Sequence, residues 1–277
     1  MRKLFSILTT LMLLFSNPVF ADWDKTLEGA TSISDIDTEI TDSFTALETT
    51  LLPMRGWVNL AVEYASSATV TVTADYLWLQ GTATIPMLAS TVSETINIGT
   101  SGASGLDTLT ESSSTWCYIW IIAKADGTVD GLLSTSSSSP TMPADYVYKT
   151  LVSAVYNNSS GDFVSFHQYD KDYWYSTWQS AVSGNLAAWQ TVDISPYVPS
   201  SISKVVFAAT GGDSAPQWTN ISSTSTSCST GPNKISECST TGNHMGKLDI
   251  LTANTLYWGS SGANAYGYIA GFEITKL

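Results

Sequence analysis

The sequence predicts an all-β protein: one or two antiparallel β-sandwich (jelly-roll-like) units preceded by a short N-terminal helix. Three observations support this. A two-residue alternation of apolar and polar side chains returns repeatedly from Trp57 to Ile274. Turn-forming clusters of Gly, Asn, Asp, Ser and Pro divide these runs into short pieces. Beyond Pro53 almost no stretch repeats at the helical period.

The elements follow in chain order. Arg2 and Lys3 precede an apolar run from Leu4 to Phe15, then Val19-Phe20-Ala21 and an acidic start at Asp22. A positive end, an apolar stretch and a small residue before a cut describe a secretory signal peptide over residues 1–21. The run is shorter than the ~20 apolar residues a bilayer requires, and Asn17-Pro18 interrupts it, so no membrane span is expected after cleavage. Residues 22–54 form an N-terminal helical segment. Ile36, Ile40, Phe44, Leu47 and Leu51 fall on one helix face, Ser34 and Asp37 make a capping pair, and Pro53 ends the run.

From Trp57 the period becomes two. Val58, Leu60, Val62 and Tyr64 define a buried face, as do Val70 and Val72. The segment from Trp116 to Ile122 is apolar on both faces and reads as a central strand. Asp126-Gly127 turns it back into a partner from Thr128 to Leu133. Lys149 to Tyr156 and Asp162 to Tyr169 flank an Asn/Ser/Gly loop and read as a hairpin. Further strands run from Trp189 to Ile194 and from Lys204 to Ala209. A last meander is read from Lys247 to Leu251, Leu256 to Gly259 and Tyr266 to Ile274, and the Ser/Thr-rich stretch 215–247 reads as a long loop. Residues 55–172 form a β-sandwich, and 173–277 a second unit or a continuation of the first. The stretch 170–184 is either a seam between the two or one more strand.

Composition narrows the chemistry. Removing Arg2 and Lys3 from 11 basic residues leaves 9 against 24 acidic ones, so net charge moves from −13 to −15. Such a chain repels phosphate backbones, and nucleic acid is not an expected partner. With 43% hydrophobic residues and ten Trp, the chain has material for a packed core. Cys228 and Cys238 lie ten residues apart in a chain routed to an oxidising space, where a local disulfide is expected; two separate thiols are the alternative. Cys117, inside an apolar run, is read as a small buried hydrophobe.

No nucleophile–histidine–acid set is legible. Of the two His residues, His167 lies on a strand face and His244 at the end of the Ser/Thr-rich stretch. The G-x-S-x-G elbow, H-E-x-x-H and phosphate-binding Gly-rich patterns are absent from the sequence. No catalytic residue, metal ligand or cofactor is assigned. Asp170-Lys171-Asp172 is a weak match to a calcium site. Tyr169, Tyr173, Trp174, Tyr175 and Trp178, with Asp170 and Asp172, are the candidate ligand-binding residues, because flat rings beside carboxylates suit sugar recognition. Each ring has core packing as the competing explanation. A carboxylate-pair glycoside hydrolase drawing on Asp162, Asp170 and Asp172 is the alternative function.

Several stretches resemble phage and prophage tail-fibre-like structural proteins. Ile33-Ser34-Asp35-Ile36-Asp37-Thr38-Glu39-Ile40 running into Phe44-Thr45-Ala46-Leu47-Glu48, then Pro53, is similar to the N-terminal helix of many such proteins. The likeness continues at Gly105-Leu106-Asp107-Thr108, Trp116-Cys117-Tyr118-Ile119-Trp120 and Gly131-Leu132-Leu133-Ser134-Thr135-Ser136. It extends through Pro140-Thr141-Met142-Pro143, Tyr148-Lys149, Val155-Tyr156-Asn157 and Tyr268-Ile269-Ala270-Gly271-Phe272-Glu273. The resemblance implies a β-rich, often oligomeric component that touches surface glycans or neighbouring subunits, and it transfers no catalytic residue. Tail parts assemble in the cytoplasm whereas this chain opens on an export signal, which favours a secreted relative at the cell surface, in the periplasm or outside the cell. A purely structural appendage or virion subunit is the remaining alternative.

Overall fold

A computed structural model describes residues 56–81, 86–108, 112–184, 190–212, 218–223, 234–238, 242–260 and 265–275. Among them the chain is all-β, with no helix. The strands are β1 (Trp57–Val58), β2 (Ala61–Ser66), β3 (Thr69–Gly81), β4 (Met87–Asn97), β5 (Gly105–Leu106), β6 (Thr115–Lys124), β7 (Val129–Ser134), β8 (Tyr146–Asn157) and β9 (Phe166–Tyr169). They continue as β10 (Asp172–Ser183), β11 (Gln190–Asp193), β12 (Ser203–Gly212), β13 (Trp218–Ser222), β14 (Lys234–Cys238), β15 (Gly242–Asp249), β16 (Thr255–Ser260) and β17 (Ala265–Ile274).

Thirteen strands join one mixed sheet in the order β15-β12-β17-β10-β9-β2-β3-β8-β6-β7-β5, with β1 and β4 also paired to β3. Its only parallel strand pair among the described residues is β5 with β7. The remaining four strands form an antiparallel sheet, β11-β16-β13-β14. The long β3 links the two halves of the large sheet. Its first part pairs with β2 and β4, and Gln80 and Gly81 at its end pair with Lys149 and Tyr148 of β8. These residues belong to a compact unit spanning Gly56–Leu277. Among them no helix is long and apolar enough to cross a membrane.

The core forms where sheet faces meet. The central position read for residues 116–122 is occupied by β6, which lies between β7 and β8 and is buried along nearly its whole length. Trp116 of β6 meets Phe272 of β17 edge-on at 5.8 Å. On the same inner face Phe166, Tyr173 and Phe272 stack in sequence, with centroids 4.5 and 4.2 Å apart. Gln168 of β9 is a fully buried polar residue in this interface. Its Nε2 donates to the carbonyls of Val152 and Asp170, and its Oε1 accepts from Ser153 Oγ at 2.5 Å. Trp258 of β16, fully buried, seats its indole against Gly267 of β17.

Several expectations from periodicity meet corrections. The run 57–64 is not continuous: Asn59 adopts a left-handed φ of 54°, which breaks the alternation between β1 and β2. Leu60 and Val62 are buried as expected, but Val58 is exposed. The hairpin expected around 157–161 exists only at its base, through the Asn157–Phe163 bridge. Then β9 leaves to pair with β2 and β10. The final three runs are strands but not a meander. β15 flanks β12, β16 belongs to the second sheet, and β17 inserts between β12 and β10. The stretch 215–247, read as a loop, contributes β13, β14 and part of β15. Thr-rich polar sequence satisfies a strand as well as a loop when main-chain partners are available. The stretch weighed as a seam contains β10, in the middle of the large sheet.

The segments expected to be a signal peptide (1–21) and an N-terminal helix (22–54) lie outside the described residues, as do Cys228 of the expected disulfide and the side chains of Cys238 and His244. Cys117 is buried within β6.

Candidate functional site

Strand alternation sends the candidate residues to opposite sides of the large sheet. On β10, Tyr173 and Tyr175 face inward and are 0% and 4% exposed. Tyr173 is packed among aromatic rings, and the Tyr175 hydroxyl donates to the Tyr197 carbonyl at 2.7 Å. Burial holds both phenols well above the ordinary tyrosine range. These two rings are core, so they leave the set of residues open to a ligand.

Trp174 points to the other side. Register aligns Phe207, Gly271, Trp174, His167 and Glu63 across five adjacent strands. Trp174 and Phe207 stack at 4.4 Å and 14°. Between them stands Gly271, where a Cβ would lie 2.0 Å from the Tyr173 carbonyl oxygen, so only glycine allows β10 and β17 to approach this closely. Lys247 lies over the Phe207 ring at 5.6 Å and forms an ion pair with Glu273. This stack is only partly open to solvent.

Two groups of rings on the same face are more accessible. At one end Tyr169 is 58% exposed. His167 is its neighbour at 6.0 Å between centroids, and the Tyr169 hydroxyl donates to Glu63 Oε1 at 3.3 Å. Asp170 and Lys171 form the two-residue turn from β9 to β10, with Asp170 at a left-handed φ of 52°. Trp57 Nε1 donates to Asp170 Oδ1 at 3.0 Å and ties β1 to this turn. Asp172 opens β10 directly opposite Tyr169. The Asp-Lys-Asp sequence is thus explained as a hairpin turn. Among the described residues no group of three or more His, Cys, Asp or Glu is arranged to hold a metal ion.

The second group comprises Trp178, Tyr268 and Tyr266. Trp178 is 39% and Tyr266 36% exposed. Tyr268 lies between them, with both centroid distances 6.1 Å. Met245, more than half exposed, lies beyond Ala209 on the same row as Tyr268. Of these residues, Trp178 was legible as a candidate. Tyr266 and Tyr268 were visible as alternating rings around Gly267, but their nearness to Trp178 depends on β17 pairing with β10 across a bulge.

Asp162 stands in the turn before β9, whereas Asp170 and Asp172 stand beyond its other end. The three carboxylates therefore do not converge on one point. What the face offers is rings and carboxylates on a rigid sheet, which suits contact with a ligand through stacking and hydrogen bonds. No protein-family model and no curated protein matches this chain.

Proposed function

We propose that the protein is an exported, non-catalytic binding module of tail-fibre-like character, a β-sandwich whose outer sheet face contacts surface glycans. The observation that carries this reading is the exposure of Tyr169, Trp178 and Tyr266 on one face of the large sheet, on the neighbouring strands β9, β10 and β17. Exposed rings on paired strands bind with little loss of backbone freedom, because the sheet has already fixed their positions. A pyranose presents C–H groups to such rings and hydroxyls to the carboxylates beside them. The sandwich assignment draws on the packing of Trp116 against Phe272 and of Trp258 against Gly267, which brings strands face to face.

The test is a glycan-array screen of the purified protein, with its mass in solution measured alongside. Selective binding to a glycan class supports the reading. An empty array together with a defined oligomer would instead favour a purely structural subunit.

A further inference from the structure

We infer that the Tyr169 end of the face selects glycans bearing free amino groups over neutral or acidic ones. This deepens the glycan-binding reading and rests on it. The ring of Tyr169 is the most exposed aromatic side chain on the face, and Ala61 stands directly opposite it on β2. A methyl group on that side leaves the ring open to approach. Exposed acids surround it: Glu63 accepts from its hydroxyl, and Asp170 and Asp172 follow it in the chain. Asp75, also exposed, is held by Asn59 Nδ2 at 2.6 Å near the same end.

Positive charge is scarce there. Lys171 is the base in the turn, and Lys247, paired with Glu273 directly opposite Asp172, interacts with Asp172 as well, so four exposed acids, Glu63, Asp75, Asp170 and Asp172, outnumber the two bases. A protonated sugar amine gains from the ring face and from charge-assisted hydrogen bonds to the carboxylates. An N-acetylated sugar retains only stacking and neutral hydrogen bonds, and a uronate or phosphorylated sugar meets repulsion. A second copy of the same face would bring like charges together, so self-association does not satisfy it. Exposed ion pairs are individually weak, so the preference arises from several acting together and is sensitive to salt.

Purified full-length protein would be titrated with a fully deacetylated glucosamine oligomer, its N-acetylated counterpart and an oligogalacturonate of similar length, at near-neutral pH and low salt. The deacetylated oligomer is expected to bind roughly tenfold more tightly than the N-acetylated one, an advantage that disappears at high salt. Glu63→Gln and Asp172→Asn should each reduce it, and Tyr169→Ala should abolish binding at this end. Asp145→Asn, an exposed acid on the loop before β8, should leave it unchanged. Equal or tighter binding of the N-acetylated oligomer would overturn the preference while leaving glycan binding in place. If no oligomer binds and the array is also blank, the glycan reading falls with it. Oligolysine that binds as tightly as the amino sugar, with no loss in Tyr169→Ala, would show a general cation-binding surface and overturn the inference too.

Discussion

Gly267 shows how closely the two sheets are fitted at a single residue. A Cβ built there would lie 1.7 Å from the Trp258 indole, a side chain that is itself fully buried and has no room to withdraw. Gly267→Ala should therefore destabilise the protein by about 1–3 kcal/mol or more, read as a lower urea midpoint. Glu94 makes a different single-residue case. Desolvation first, and then the nearby Asp130 carboxylate, push its pKa up from 4.5 to about 7. Asp130 is held in turn by the hydroxyls of Ser104 and Tyr146. A carboxyl whose folded pKa is raised favours the protonated form. Its stabilising contribution is full below about pH 4.5 and is lost as pH rises through about 7. Thermal melts of wild type and Glu94→Gln at about pH 5 and pH 8 should differ accordingly. The wild type should lose more stability than the variant on going to the higher pH, and equal losses would contradict this account.

At the scale of elements, β6 is the strand on which the core most depends. Ile119, Ile121 and Ile122 are all 0% exposed, while Trp116 and Tyr118 use their polar ends to hold the segment that follows β11. Trp116 Nε1 donates to the Ser195 carbonyl at 2.8 Å, and the Tyr118 hydroxyl shares a 2.6 Å hydrogen bond with Ser201. Ile119→Ala should cost about 2–5 kcal/mol by chemical denaturation, because close-packed neighbours cannot fully collapse into the space it leaves. The run of apolar residues made this strand legible as central, since only a strand covered on both faces tolerates such a sequence. The turn at Asp126-Gly127 was equally legible. Gly127 has a φ of 94°, and the Asp126 side chain accepts the Thr128 N–H at 2.9 Å. The partners of β9 and β16 were not legible, because nothing in either segment specifies a strand distant in sequence.

Across the whole molecule, the outer face of the large sheet collects rings contributed by strands far apart in the chain. If these rings serve contact rather than packing, removing them should leave folding intact. Tyr169→Ala and Trp178→Ala should change unfolding free energy only slightly, by about 0.5 kcal/mol for Tyr169 and somewhat more for the less exposed Trp178. Both should weaken glycan binding measured by calorimetry. A large loss of stability in Tyr169→Ala would assign that ring a structural role.

Local chemistry within the sequence determined most of the described strands between Trp57 and Ile274, those within 215–247 excepted, along with the central place of β6 and the turn at Asp126-Gly127. Those features follow from side-chain alternation and backbone preference, which act over a few residues. The tertiary structure decided which rings are buried and which are open. Tyr173 and Trp174 are adjacent and similar in type, yet one stacks in the core while the other lies on the outer face. Their separation follows from the pleat, but which side is the core depends on the sheet faces that pack there. The juxtaposition of Trp178 with Tyr268 and Tyr266 likewise depends on long-range pairing and the β10 bulge. Sheet registry across distant strands is a cooperative outcome of the whole fold, and no short window of sequence contains it.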